Sequence, residues 1–166
     1  MITLVLGGAR SGKSEVGERL VARHPAPITY VATMVVGDSR ELGLRVAAHR
    51  ARRPPEWSTV EAGSGLAAVM RTLTGTALVD SLGPWLSAHP DLVVDSEALC
   101  ASLAGRQGDT VLVSDEVGLS VHPSTESGRQ FRDAMGSLNQ AVASLADKVV
   151  LVVAGQMLPL KPVEDH

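Results

Sequence analysis

Residues 7–14 have the types and spacing needed to bind phosphate groups, in the order Gly-Gly-Ala-Arg-Ser-Gly-Lys-Ser. The glycines let the backbone curl so that several N–H groups converge on one anion, and a following helix adds partial positive charge. Lys13 can bridge phosphates, and Ser14 can bind Mg²⁺. The alternative is an ordinary glycine-rich turn, but a strand pattern before the motif and a helical pattern after it favour a phosphate loop. The predicted nucleotide-binding residues here are Gly7, Gly8, Ala9, Arg10, Ser11, Gly12, Lys13 and Ser14.

A histidine lies within a cluster of arginines between positions 45 and 53. The arginines are Arg45, Arg50, Arg52 and Arg53. If residues 40–52 form a helix, spacings of three and four place His49 and arginines on one face. Such a face would hold a triphosphate, and its positive charge would disfavour imidazolium and keep His49 neutral and nucleophilic. We therefore take His49 as a candidate nucleophile; the alternative is a solvated basic helix end before a pair of prolines.

Phosphoryl transfer also needs a carboxylate to hold the metal ion, usually at the carboxyl end of a buried strand. Two positions compete: Asp80 ends one apolar run, and Asp115 follows another together with Glu116. Either acid could instead be a helix N-cap or a loop residue. The residues alone leave this choice open.

Five runs of β-branched and aliphatic residues predict buried strands, at residues 2–6, 28–32, 77–80, 110–113 and 148–153. Helices are predicted near residues 13–23, 40–52, 63–73, 95–104 and 128–146, the last from an apolar stripe that steps by three and four. Two stretches rich in Gly, Pro, Asp and Ser predict mobile loops, at residues 35–40 and 83–94. The alternation predicts an α/β fold: a single P-loop NTPase-type domain over residues 1–166, with a mainly parallel central sheet flanked by helices.

Composition excludes several classes of protein. A sequence pI of about 5.9 and an aromatic share of 2% argue against nucleic-acid binding, which favours a broad basic surface and stacking platforms. Cys100 is the one cysteine, so neither an intramolecular disulfide nor a cysteine-based zinc site can form. The first residues lack the pattern of a secretory leader, and the longest apolar run, residues 149–155, is too short to span a bilayer. We expect a cytoplasmic protein with no membrane span.

Several segments together resemble the bifunctional adenosylcobinamide kinase/adenosylcobinamide-phosphate guanylyltransferase family of cobalamin biosynthesis. The matching segments follow one another along nearly the whole chain, at residues 7–14, 30–33, 45–61, 78–87, 115–140 and 151–161. A phosphate loop alone is shared with many unrelated enzymes. The blocks HRARRPPEWSTVE at 49–61 and EVGLSVHPSTESGRQFRDAMGSLNQ at 116–140 are far more specific.

The resemblance implies two reactions on a corrinoid. The family phosphorylates adenosylcobinamide with a nucleoside triphosphate, GTP or ATP. It then transfers GMP from GTP onto a histidine and on to adenosylcobinamide phosphate, which gives adenosylcobinamide-GDP. The resemblance also implies a homotrimer with nucleotide sites near the subunit boundaries, so that arginines could act across an interface.

The resemblance also carries roles over to positions of this sequence. His49 matches the histidine that accepts GMP, so that His49 and Lys13 are the candidate catalytic residues. The further nucleotide-binding positions are Ala32, Thr33, Met34, Arg50, Ala51, Arg52, Arg53, Glu61 and Asp80. The family pattern favours Asp80 over Asp115 as the acid that holds Mg²⁺ together with Ser14.

The sequence departs from the family pattern at two places near the expected site. The family commonly has an asparagine where this chain has Asp115, and Cys-Leu-Thr where this chain has Ser81, Leu82 and Gly83. These changes put intact kinase activity in question. Two alternatives follow: a phosphate-loop kinase of small metabolites without nucleotidyl transfer, and a nucleotide-gated regulatory ATPase module.

Overall fold

The computed structural model describes residues 1–34 and 53–161, which form a seven-stranded sheet with helices on both faces. The strands are β1 (Ile2–Gly7), β2 (Ile28–Ala32), β3 (Ser58–Glu61), β4 (Thr76–Asp80), β5 (Thr110–Asp115), β6 (Lys148–Val153) and β7 (Gln156–Lys161). Their order across the sheet is β3-β2-β4-β5-β1-β6-β7. Neighbouring strands are parallel from β3 to β6, and β7 is antiparallel to β6. The predicted α/β fold with a mainly parallel sheet is confirmed.

The helices cover the two faces of the sheet unequally. They are α1 (Lys13–Val21), α2 (Leu66–Thr72), α3 (Leu82–Ser87), α4 (Ser96–Gly105) and α5 (Glu126–Leu145), with a 3-10 turn at Pro90–Leu92. On one face, α1 packs Val16 and Val21 against the sheet. On the other face, α2 to α5 enclose the larger core, which includes Met70 and Met135. Because successive strand residues point to opposite faces, the uninterrupted apolar runs supply both cores.

The five strands predicted from apolar runs are all present, and so are the four predicted helices that lie within the described residues. The strands β3 and β7 were not predicted, because each lies at an edge of the sheet and is half polar or interrupted by proline. In β7, Pro159 pairs with Val150 beside a register shift, which is where a sheet tolerates a residue without an N–H donor.

The prediction of a mobile loop at residues 83–94 is wrong. This stretch contains most of α3, whose Trp85 and Leu86 are buried in the larger core, followed by the 3-10 turn. Burial of these two side chains outweighs the weak helix propensity of a segment rich in Gly and Pro. The helix predicted at residues 40–52 and the loop at 35–40 lie outside the described residues.

Six parallel strands all end on the same side of the sheet, which is called the carboxyl edge to distinguish it from the outermost strands β3 and β7. In such sheets ligands bind just outside this edge, where the loops that follow the strands come together. Within the two described ranges, no helix is both long and apolar enough to cross a membrane.

Candidate active site

The phosphate loop connects the end of β1 to the start of α1. Gly12 caps the helix with φ of 90°, a left-handed conformation that disfavours any side chain. A Cβ at Gly12 would lie 3.3 Å from Gly155 Cα in the turn between β6 and β7. That turn also braces the loop, because the Gly155 N–H donates to the Ser11 carbonyl at 2.8 Å. The first turn of α1 has N–H groups without intrahelical partners, and such groups at a helix N-terminus bind phosphate.

Three of the predicted site residues lie side by side at the sheet edge. Ala32, the last residue of β2, is the register partner of Asp80 on one side and Glu61 on the other. The Ala62 N–H donates to the Ala32 carbonyl at 2.8 Å, which extends the ladder beyond β3. Parallel register alone therefore assembles residues that are far apart in the sequence.

Asp80 is the acid that contacts the phosphate loop hydroxyl. Ser14 Oγ donates to Asp80 Oδ1 at 3.1 Å, although β4 is separated from β1 by β5. A hydroxyl oxygen and a carboxylate oxygen at this spacing are ligand atoms of the type that Mg²⁺ prefers. Among residues 1–34 and 53–161, no group of three or more His, Cys, Asp or Glu side chains could hold a metal ion.

Asp115 has a different partner. Its Oδ1 lies 2.9 Å from Nζ of Lys13, and Nζ also donates to the Gly8 carbonyl at 3.2 Å. The two acids that the sequence left as alternatives thus contact different residues of the phosphate loop. Asp80 contacts Ser14, and Asp115 contacts Lys13.

Tyr30, which the sequence analysis did not single out, joins Asp80 to the arginine cluster. Its hydroxyl donates to Asp80 Oδ2 at 3.0 Å, and the Arg53 guanidinium carbon lies 3.1 Å from the centre of its ring. Burial and the negative charge of Asp80 raise the pKa of Tyr30 far above its usual range, so the phenol stays protonated and donates. The signal that could have found it is a lone tyrosine, two residues before the end of a strand, within the matching segment 30–33.

Thr33 fixes the backbone that follows Asp80. Its fully buried Oγ1 donates to the Ser81 carbonyl at 2.6 Å and accepts from the Ser81 N–H at 3.1 Å. The peptide bond between Asp80 and Ser81 is cis. The neighbouring Met34 is exposed beside the same edge. The remaining predicted site residues, His49, Arg50, Ala51 and Arg52, lie outside the described residues.

A cavity of about 330 Å³ adjoins the phosphate loop. One wall is the loop itself, and the others are the end of β6 and the segment after β5. The Glu116 carboxylate holds that segment by accepting from the N–H groups of Gly118 and Leu119 at 2.9 and 3.0 Å. The side chain of Leu119 is 79% exposed at its rim.

Comparison with known proteins finds relatives that match nearly the whole chain. The family model for cobinamide kinase / cobinamide phosphate guanyltransferase (CobU) matches residues 3–160. The bifunctional adenosylcobalamin biosynthesis protein CobP of Pseudomonas aeruginosa is 43% identical over 97% of this chain and 98% of its own length. The bifunctional adenosylcobalamin biosynthesis protein CobU of Salmonella typhimurium is 34% identical over 97% of this chain and 100% of its own.

Solved structures share the fold at low sequence identity. A prototypical ATPase from the type III secretion system of pathogenic bacteria superimposes with a TM-score of 0.55, over 90% of this chain and 50% of that chain, at 13% identity. The protein PH0250 of Pyrococcus horikoshii OT3 superimposes with a TM-score of 0.60, over 99% of this chain and 87% of that chain, at 7% identity. These likenesses show a shared fold alone. The sequence matches reach further, and the chain belongs to the cobinamide kinase / cobinamide phosphate guanyltransferase family of transferases.

Proposed function

We propose that the chain catalyses two group transfers that build the nucleotide loop of a corrinoid. In the first, the hydroxyl of adenosylcobinamide attacks the γ-phosphorus of ATP or GTP, the bond to the diphosphate breaks, and adenosylcobinamide phosphate forms. In the second, GMP from GTP is joined to that phosphate, which gives adenosylcobinamide-GDP. The observation that carries the proposal is the Ser14–Asp80 contact at 3.1 Å beside a complete phosphate loop, in a chain of this family.

The phosphate loop would hold the nucleotide for both reactions. Its N–H groups and the ammonium of Lys13 would bind the phosphates and offset charge on the leaving diphosphate or pyrophosphate. Mg²⁺, held by Ser14 and Asp80, would add a further positive charge at the phosphates when bound. Tyr30 keeps Asp80 turned toward Ser14 by occupying its second oxygen.

His49 would carry GMP between the two substrates of the second reaction. A neutral imidazole nitrogen attacks the α-phosphorus of GTP, the bond to pyrophosphate breaks, and the ring gives up its N–H proton. A phosphate oxygen of the corrinoid then attacks the same phosphorus, the phosphorus–nitrogen bond breaks, and the departing ring takes a proton from solvent to return to neutral imidazole. Arg50, Arg52 and Arg53 would bind the α-phosphate oxygens during both steps.

The rest of the edge would bind the nucleoside. Ala32 ends β2 there, Thr33 and Met34 follow it, and Glu61 is in register with Ala32. Ala51 belongs to the segment that carries His49. A carboxylate such as Glu61 can accept hydrogen bonds from the N–H groups of guanine. We also propose a homotrimer, which sedimentation of the pure protein would test.

The test is labelling with GTP that carries radioactive α-phosphorus. Wild-type protein should take up label that is stable in base, released by acid, and discharged by adenosylcobinamide phosphate. The variant His49→Ala should take up none, yet bind GTP. A matched control is His24→Gln, because His24 pairs with Asp109 at 2.9 Å at the opposite edge of the sheet.

Products separate the alternatives. Pure protein supplied with adenosylcobinamide and GTP should yield adenosylcobinamide-GDP by mass. Phosphorylated corrinoid without any labelled protein would identify a kinase alone. Hydrolysis of nucleotide without a change in the corrinoid would exclude both transfers.

A further inference from the structure

Asp115 lies where the end of β5 meets the phosphate loop. It is the register partner of Gly7, the last residue of β1, and the next N–H, that of Glu116, donates to the Gly7 carbonyl at 3.0 Å. From α5, Asn139 Nδ2 donates to the Asp115 carbonyl at 3.0 Å. The backbone of Asp115 is therefore held from both sides, and its side chain starts from a fixed point.

The carboxylate of Asp115 occupies one of the N–H donors of Lys13. An ammonium group has three N–H donors. In Lys13 one donates to Asp115 Oδ1 at 2.9 Å and one to the Gly8 carbonyl at 3.2 Å. One donor remains for a phosphate, and the adjacent negative charge offsets the positive charge that Lys13 offers to a polyphosphate.

Gly83, in the first turn of α3, provides the room for this carboxylate. A Cβ on Gly83 would overlap Asp115 Oδ2 and lie 3.1 Å from Asp115 Cγ. The carboxylate is thus bounded by Lys13 at one oxygen and by the bare backbone of Gly83 at the other. Any side chain at position 83 would exclude the carboxylate from its present position.

Asp115 and Gly83 are two of the three positions at which this sequence departs from the family pattern described above, and the third is Ser81. An asparagine at 115 would carry no charge to hold it against Lys13 and could turn away from a larger neighbour at 83. An aspartate in the observed position requires glycine there. The two departures, 32 positions apart in the sequence, meet at one contact.

We propose that Asp115 is a positioning residue that weakens the hold of the phosphate loop on nucleotides through Lys13, and that Gly83 is the space that permits it. The inference rests on the nucleotide-binding loop of the proposed function but on neither transfer reaction. A loop that binds one nucleotide for each reaction must release the first product before the second nucleotide enters. Weaker binding makes the release of that first product faster.

The test is the equilibrium affinity for a fluorescent GDP analogue at fixed Mg²⁺. In Asp115→Asn the dissociation constant should fall at least about fivefold, because a charge beside the phosphates is removed, and the gain should shrink at high salt. In turnover, KM for the nucleotide should fall, whereas damage to the fold would raise KM. The matched control is Asp133→Asn, which removes a carboxylate on α5 that pairs with Arg132 at 2.8 Å, and its affinity should not change. An unchanged or weaker affinity in Asp115→Asn overturns the proposal.

A double-variant cycle tests the part of Gly83. Gly83→Ala should tighten nucleotide binding in the same direction, and the double variant should bind no more tightly than Asp115→Asn alone, because both changes break one contact. Gly83→Ala should also lower the melting temperature, and Asp115→Asn should restore part of the loss. Additive gains in affinity, or equal losses of stability in the single and double variants, would contradict the steric link. Because nucleotide binding needs no corrinoid, this outcome is separate from that of the labelling experiment.

Discussion

The phenol of Tyr30 donates to Asp80 Oδ2 at 3.0 Å while Ser14 donates to the other oxygen of the same carboxylate at 3.1 Å. Tyr30 lies on β2 and Asp80 on the neighbouring β4, so the sheet itself sets their separation. Because the ring of Tyr30 also packs under the Arg53 guanidinium, one side chain connects the proposed metal acid with the end of the segment that carries His49. A change at Tyr30 should therefore affect function more than its small exposed area suggests.

Tyr30→Phe keeps the ring under Arg53 but removes the hydrogen bond to Asp80. The carboxylate would then be free to turn away from Ser14, so the Mg²⁺ concentration for half-maximal nucleotide binding should rise several-fold. A hydrogen bond to a charged group contributes about 1.5–3 kcal/mol. The measurement is nucleotide affinity as a function of Mg²⁺ concentration.

The control for this variant is Thr29→Val. Thr29 is the preceding residue of β2, and its hydroxyl shares a 2.8 Å hydrogen bond with Ser58, away from Asp80. It should lose stability without a change in Mg²⁺ requirement. A rise in the Mg²⁺ requirement of both variants would mean that Tyr30 acts only through the stability of β2.

Thr33→Val tests the backbone after Asp80. It removes a hydroxyl that satisfies both the N–H and the carbonyl of Ser81 inside the protein, and leaving such groups unpaired costs about 1–3 kcal/mol. We expect a lower melting temperature together with weaker nucleotide binding, because Asp80 precedes the released peptide. Thr33→Ser keeps the hydroxyl and should retain most of both properties. Equal damage in the two variants would contradict a specific role of the hydroxyl, because Thr33→Ser keeps it.

Sequence patterns predicted the sheet well because its strands are buried on both faces and separated by crossovers. Runs such as residues 2–6 and 110–113 admit few other structures. The edge strand β3 was missed, since its sequence Ser-Thr-Val-Glu has one apolar residue and its side chains are mostly exposed. Gly and Pro in residues 83–94 predict a loop, whereas burial of Trp85 stabilises a helix there.

The phosphate loop was predictable because its chemistry lies in contiguous residues. The pairing of Asp80 with Ser14 was favoured by the family resemblance but could not be derived from the residues alone, since it depends on which strands are neighbours and on the register between them. The residues alone left Asp80 and Asp115 as alternatives, and strand order explains why both acids reach the loop, at different side chains. The role of Tyr30 and the contact of Gly83 with Asp115 could not be predicted for the same reason, because both depend on which strands and helices are neighbours.

Asn139→Ala tests how α5 holds the end of β5. The Asn139 amide accepts from the buried Ser114 hydroxyl at 2.6 Å and donates to the Asp115 carbonyl at 3.0 Å. Its removal should cost about 1–3 kcal/mol of unfolding free energy, as two groups lose their partner. The adjacent Gln140→Ala changes an exposed residue of the same helix and should stay within about 0.5 kcal/mol. Chemical denaturation of the two variants checks this, and a loss of similar size in both would contradict it.

Two helical glycines should respond in opposite directions to alanine. A Cβ on Gly17 in α1 would lie 2.7 Å from Val113 Cγ2 and 3.3 Å from Leu78 Cδ1, whereas one on Gly136 in α5 meets no described atom within 4 Å. Gly17→Ala should therefore push α1 off the sheet, at a cost of about 1–3 kcal/mol. Gly136→Ala should stabilise by about 0.5–1 kcal/mol, because alanine loses less backbone entropy in a helix. Since α1 begins at the phosphate loop, Gly17→Ala should also weaken nucleotide binding while Gly136→Ala leaves it unchanged. Thermal unfolding with and without nucleotide measures both effects, and a stable Gly17→Ala with normal affinity would show that α1 can shift without moving the loop.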